Sequence, residues 1–320
     1  MERRFDPVTG EWRMFAGHRQ DRTFLPPAEF CPLCPTREGH PPTEIPLPAF
    51  DVAVFENRFP ALVRRPPPPG VAGTALSPVA PSAGANEVVV YSDDHHLGLG
   101  DMEVARIARV VEVWTDRYAE LGARDEVDYV FVFENRGVAV GVTLHHPHGQ
   151  IYAYPEIPPR MRQVLTAAVA HGGCVYCDAV AEEAAGPRVV ARTAGFVAFV
   201  PFAARFPYEV HLAPARHAPS LLDLDGAERL ELAGLLRTLV RGYDRLFGFP
   251  LPYVMSMHQA PTDGGGHEPF SHLHLEFTPL HRSADKLKYL AGSELGAGAF
   301  INDVAPEDAA GRLRAAVNRG

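Results

Sequence analysis

The densest chemistry in the 320-residue sequence lies in His146-Pro147-His148-Gly149-Gln150, which follows an apolar run at 129–133 and leads into a strand-like stretch at 150–154. Two imidazoles two residues apart on an extended chain share a face. Here the proline restricts the backbone and the glycine frees it, so the pair can diverge. One imidazole can then bind a metal while the other faces a substrate. A histidine nitrogen beside backbone amides of a glycine turn is suited to attack phosphorus and to pass the group onward. The attacking nitrogen must be unprotonated, so the other ring nitrogen must donate to a fixed acceptor, expected to be a backbone carbonyl of the loop. Gln150 can hydrogen-bond a non-bridging oxygen as charge develops, and Thr143 can add a hydroxyl contact.

All four cysteines fall in C-x-x-C pairs, Cys31/Cys34 and Cys174/Cys177. Redox pairs favour the start of a helix that follows a strand. Here prolines surround the first pair and Gly172-Gly173 precedes the second, so both read as metal knuckles, with zinc as the expected ion and buried free thiols as the alternative.

The elements that must position these residues recur in order. A C-x-x-C pair, a strand, Arg-Phe-Pro, a strand, a histidine, a long helix, a strand and His-x-His occur once in each half. From Cys34 to His95 is 61 residues, and from Cys177 to His217 is 40. A proline-rich stretch at 64–86, read as an irregular, partly mobile loop, accounts for the excess. Such agreement indicates a duplication. Its phase selects Cys31, Cys34, His95 and His146 as one tetrahedral set and Cys174, Cys177, His217 and His272 as the other, with His96 a rival in the first and His211 and His258 rivals in the second. A site closed by four protein ligands has no position for water, so both zincs are expected to be structural. With His146 on the metal, His148 is left free and held from behind.

Apolar periodicity predicts a helix over 102–123, with Asp101 as N-cap and Val104, Ile107, Val111, Trp114, Tyr118 and Leu121 on one face. Further helices are expected at 158–171, 225–247 and 307–317. Strands are expected at 11–15, 52–57, 87–92, 129–133 (buried on both faces), 208–213 and 253–258, with a hairpin over 189–200. The fold class is α+β: two related halves, 1–165 and 166–320, forming one extended, mainly antiparallel sheet flanked by helices.

Hydrophobic residues make up 46% and charged residues 22%, as in ordinary globular proteins, and the net charge is −9 without long basic runs. This argues against nucleic-acid or anionic-membrane partners. The polar amino terminus and the lack of a long apolar stretch lead us to expect a cytosolic protein.

RFDPVTGEWR, FENRFP, SDDHH, FENRG…HHPHGQIYA and KYLAGSE together closely resemble the galactose-1-phosphate uridylyltransferase family of the histidine-triad superfamily. Histidine-triad hydrolases usually carry a third histidine where Gln150 stands. The resemblance implies a double displacement: His148 takes UMP from UDP-glucose and passes it to galactose 1-phosphate. It implies nucleotide-pocket roles for Asn57, Phe59 and Asn135, phosphate contacts for Arg19 and Arg22, and hexose-phosphate contacts for Lys288 and Glu294 supplied across a homodimer. It also implies zinc on Cys31, Cys34, His95 and His146. Thr143 replaces a serine, Leu144-His145 an asparagine-proline step, and Arg58 an often acidic residue. Some members hold a second metal on a glutamate and three histidines, including the equivalents of His258, His272 and His274. No matching glutamate follows Tyr154, so the second site is expected at the second C-x-x-C pair. Competing readings are a phosphorylase acting on ADP-sugars, a non-catalytic nucleotide-binding adaptor, and a zinc-ribbon interaction protein.

Overall fold

A computed structural model describes residues 1–22, 24–39 and 41–319. The strands and α-helices in chain order are β1 (Glu2–Asp6), β2 (Glu11–Phe15), β3 (Ala53–Glu56), β4 (Val79–Pro81), β5 (Ala85–Val90), α1 (Val104–Gly122), β6 (Tyr129–Arg136), β7 (His148–Tyr154), α2 (Pro159–His171), α3 (Val175–Ala184), β8 (Val189–Arg192), β9 (Phe196–Phe199), β10 (Val210–Pro214), α4 (Gly226–Phe247), β11 (Tyr253–His258), β12 (His274–Pro279), β13 (His281–Ser283), β14 (Lys286–Leu287) and α5 (Pro306–Val317). Nine strands form one sheet in the order β3-β5-β7-β6-β11-β12-β10-β9-β8, and every pairing is antiparallel. The halves meet where β6 pairs with β11, Tyr253 opposite Arg136 and Met257 opposite Val132. Outward from that seam β7 matches β12, β5 matches β10 and β3 matches β9, so the duplication is written in the strand order.

Side chains alternate across the sheet. On one face Val89, Val130, Val132, Ile151 and Ala153 join Leu212, Met255, Met257 and Phe277 in a core with α1, α4 and α5. Helix α1 buries Ile107, Val110, Val111, Trp114, Tyr118 and Leu121 there, a stripe at three- and four-residue steps. Helix α4 begins with a reciprocal capping box, in which Glu228 N–H donates to Asp225 Oδ1 and Asp225 N–H to Glu228 Oε2, both at 2.9 Å. On the other face Cys31, Leu33 and Ile45 cover Val88 and Val90, and α3 covers Val197, Phe199 and Ala213.

Several expectations need correction. Helix α1 starts at Val104 after Glu103, and Asp101 is not its cap. The stretch at 64–86 is not wholly irregular: β4 lies inside it, pairs with β1 as Arg3 opposes Ala80, and makes a three-stranded sheet with β2. The strand at 129–133 runs on to Arg136, and it is not buried on both faces, because Phe131 and Phe133 are only half-buried. Helix α2 spans the expected junction between halves at 165/166 and links them. No single helix among the described residues is long and apolar enough to cross a membrane.

Candidate active site

The strand register places the two histidines of the first half in separate surroundings. His146 is fully buried, just before β7. Its Nε2–H donates to Ser92 O at 2.7 Å, which leaves Nδ1 as a lone pair facing Cys34 Sγ at 3.5 Å and Cys31 Sγ at 4.0 Å. His95 Nδ1 lies 3.3 Å from Cys34 Sγ. A tetrahedral zinc with bonds of about 2.3 Å to sulfur and 2.0 Å to nitrogen sets neighbouring S and N about 3.5 Å apart, so these donors fit the ion. Burial, then the neighbouring Cys31, pushes the Cys34 thiol up to about 12, so a thiolate there needs a cation. Burial lowers His146 to about 4, keeping it neutral, as a ligand must be.

The second half repeats this. Cys174 caps α3, which turns by 87° from α2 through Gly172-Gly173. The pair thus does open a helix, but it follows a helix instead of a strand, and histidines close on it. Cys177 Sγ lies 3.2 Å from His217 Nδ1 and 3.3 Å from His272 Nδ1, and His272 Nε2–H donates to Pro214 O at 3.0 Å. The ligand atoms of each set of four lie within 4.8 Å of one another. His96, His211 and His258 belong to neither set.

His148, the first residue of β7, donates from Nδ1 to His146 O at 2.7 Å, a backbone carbonyl of the loop as the sequence leads one to expect. Its Nε2 therefore carries the lone pair, and burial lowers its pKa, outweighing that bond. It lines a pocket with Arg22, Phe55, Asn57, Phe59, Thr143 and Gln150. Asn57 Nδ2 donates to Gln150 Oε1 at 3.3 Å, turning the Gln150 amide nitrogen away from Asn57, and Phe59 N–H holds Asn57 Oδ1 at 2.8 Å. Arg19 donates to Phe59 O and to the Tyr152 hydroxyl at 3.0 and 3.2 Å, and Arg22 donates to Arg19 O at 3.0 Å. Asn135, by alternation with Phe133 opposite Gln150, lies on the same face. Lys288 and Glu294 are not brought to this pocket. Lys288 donates to Glu294 Oε1 at 2.8 Å and to Ile301 O, and holds the Glu294 carboxyl down at about 2.

The counterpart of His148 is His274, whose Nδ1 likewise donates to His272 O at 2.8 Å. It is buried, the Tyr176 ring stacks on it with centroids 4.0 Å apart, and Glu276 stands where the first half has Gln150. Glu276 is surrounded by His274, His211 and His258 at 3.5 to 3.7 Å, with Arg160 at 2.6 Å and Arg205 at 3.3 Å. Burial alone would raise its pKa; His211 and His258 hold it well below the usual range. With Glu209, these residues form a second chemistry-bearing cluster that reading the chain did not find. The available signal was phase, since Glu276 follows His274 by two as Gln150 follows His148.

The family described as galactose-1-phosphate uridyl transferase, N-terminal domain, matches residues 1–158, and its C-terminal domain matches residues 163–319. The chain belongs to the galactose-1-phosphate uridylyltransferase family. A galactose-1-phosphate uridylyltransferase of Thermotoga maritima is 41% identical, with 98% of each chain covered. A solved structure of a uridylyltransferase superposes with a TM-score of 0.89 at 35% identity, covering 100% of this chain and 99% of that one. An ADP-glucose phosphorylase of Arabidopsis thaliana is 28% identical over 98% of this chain and 92% of its own. The chain is thus a nucleotidyltransferase, and its activity is galactose-1-phosphate uridylyl transfer.

Proposed function

We propose that His148 is the nucleophile of a two-step transfer. Its Nε2 attacks the α-phosphorus of UDP-glucose, a P–N bond forms, and the P–O bond to glucose 1-phosphate breaks. The departing phosphate carries away the electron pair. A phosphate oxygen of galactose 1-phosphate then attacks the same phosphorus, the P–N bond breaks, and UDP-galactose leaves with Nε2 again unprotonated. The observation that carries this reading is the 2.7 Å bond from His148 Nδ1 to His146 O, which leaves Nε2 as the unprotonated nitrogen of a residue that lines the pocket. Gln150 donates its amide to a non-bridging oxygen, and Asn57 holds it in that orientation. Thr143 adds its hydroxyl. Arg19 and Arg22 supply positive charge for the phosphates, while Phe59 and Asn135 shape the nucleotide pocket.

Zinc, held by Cys31, Cys34, His95 and His146 and again by Cys174, Cys177, His217 and His272, would cross-link strand ends and supply no step of the reaction. The first site would brace the carbonyl of His146 on which His148 hangs. The half at 1–165 carries the catalytic loop, and the half at 166–320 is its closed counterpart. Lys288 and Glu294 would serve the site of a second copy in a cytosolic homodimer, which is supported by the exposed Tyr289, Leu295 and Ile301 around them.

The test is mass spectrometry after exposure to UDP-glucose alone. A mass increase of one UMP on a peptide containing His148 is expected, absent in His148→Asn. Labelling by ADP-glucose in preference to UDP-glucose would move the reading to a phosphorylase.

A further inference from the structure

Glu134 is a buried carboxyl group that the proposed reaction does not use, and it stands beside the catalytic loop. It sits on β6 directly opposite Gly149 of the catalytic loop, and only 5% of it is exposed. Its two oxygens accept from the hydroxyls of Tyr91 and Tyr253, each at 3.3 Å. No lysine, arginine or histidine pairs with it among the described residues. The nearest cation, Arg136, is engaged by Asp244 through two bonds of 2.7 and 3.0 Å. Burial accordingly pushes Glu134 up to about 7, against the pull of Arg136 and both tyrosines.

Stability alone does not account for such a group, since a buried carboxyl without a cation costs more than an apolar side chain of similar volume. Its location supplies the reason. The Tyr91 hydroxyl occupies the space where a Cβ of residue 149 would lie, so the strand rests at Gly149 on the tip of that ring. Tyr91 N–H also donates to Pro147 O at 3.4 Å. Tyr91 thus touches the loop on both sides of His148, and Glu134 holds the hydroxyl of Tyr91.

We propose that Glu134 is a positioning residue that sets the height of the His148-Gly149-Gln150 strand through Tyr91. Tyr253, on β11, ties the same carboxyl to the second half. A nucleophile displaced by about 1 Å loses on the order of a hundredfold in rate. The inference rests on His148 as the nucleophile, and the experiment separates the two.

Single-turnover uridylylation of His148 is measured in wild type, Glu134→Leu, Glu134→Gln and Tyr91→Phe, with zinc content matched and at a temperature where each is folded. Glu134→Leu and Tyr91→Phe are expected to slow labelling by about tenfold or more and to lower kcat while KM shifts less than threefold. Glu134→Gln, which can still bond both hydroxyls, is expected to stay within threefold of wild type. A purely structural role predicts loss of folded protein with an unchanged rate per folded molecule, and labelling of Glu134→Leu or Tyr91→Phe at the wild-type rate overturns the inference. If wild type itself never labels His148, the nucleophile reading fails, and the crystal structure of Glu134→Leu decides the positioning role. A shifted Gly149 and a broken bond from His148 to His146 O support it; an unmoved strand overturns it.

Discussion

At the residue scale, what separates the two halves is one side chain two positions after the second histidine. Gln150 is neutral, donates through its amide and opens on a pocket; Glu276 is anionic and clamped by Arg160 and Arg205. A carboxylate in the Gln150 position would repel the very phosphate the site must hold. In the proposed transfer the amide is worth most in the transition state, when charge grows on the non-bridging oxygens. Gln150→Ala is therefore expected to lower kcat by about a hundredfold with little change in KM, whereas Gln150→Glu should cost more because it adds repulsion to the lost donor. Steady-state kinetics with galactose 1-phosphate as the varied substrate check this. Equal losses in the two variants would mean that charge at this position is unimportant.

At the element scale, β7 is fixed by its neighbours as much as by its own sequence. Gly149 is required because the Tyr91 hydroxyl fills the space beneath it and Phe133 O would lie 3.2 Å from an added Cβ. Gly149→Ala should destabilise the protein by about 1–3 kcal/mol, as over-packing does, and Tyr91→Phe in the same chain should return part of that loss. Denaturant titration of both single variants and the double variant measures the coupling; strict additivity would contradict the contact. Strands such as β11 and helices such as α4 were legible because apolar period and capping residues act locally. The order of C-x-x-C, histidine and His-x-His exposed the duplication before any pairing was known. Strand β4 was not legible: it lies among prolines, and its ladder partner is β1, nearly eighty residues away, with Arg3 opposite Ala80. Nor was the Glu209–His211–His258–Glu276 cluster. His211, His258 and Glu276 come from three strands and Glu209 from just ahead of β10, and register, with His211 and Ser256 both opposite Glu276, brings them together. Lys288 and Glu294 were found as residues but not as each other's partners, because that bond depends on how the segment after β12 folds back.

At the scale of the whole molecule, one continuous sheet makes the halves a single cooperative unit, and the two cysteine–histidine clusters lie toward opposite ends of it. Metal binding there is linked to protons. Burial raises Cys34, and likewise Cys177, to about 12 in the metal-free chain, so each site must release at least one thiol proton on loading at neutral pH. Apparent affinity should fall at least tenfold per site for each unit the pH drops. The histidines act in the same direction. His146 and His272 are held neutral down to about 4 by burial in the folded chain, whereas the unfolded chain protonates them near 6.5, so folding of the metal-free protein weakens as the pH falls from 6.5 to 4. Glu134 opposes them: its raised pKa favours the folded state below about 4.5, and that contribution is lost as pH rises through about 7. His274 is likewise held neutral down to about 4, and Glu276 and Glu294 lie below the usual carboxylate range, so the acid side is the weaker. A chelator titration at pH 6, 7 and 8 should therefore strip zinc most readily at pH 6. The melting temperature and the rate of uridylyl transfer should fall together, by about 10–100-fold for the rate, and both should return on adding zinc at pH 8. Full turnover by a folded, metal-free preparation would show that His148 does not depend on the ion behind His146.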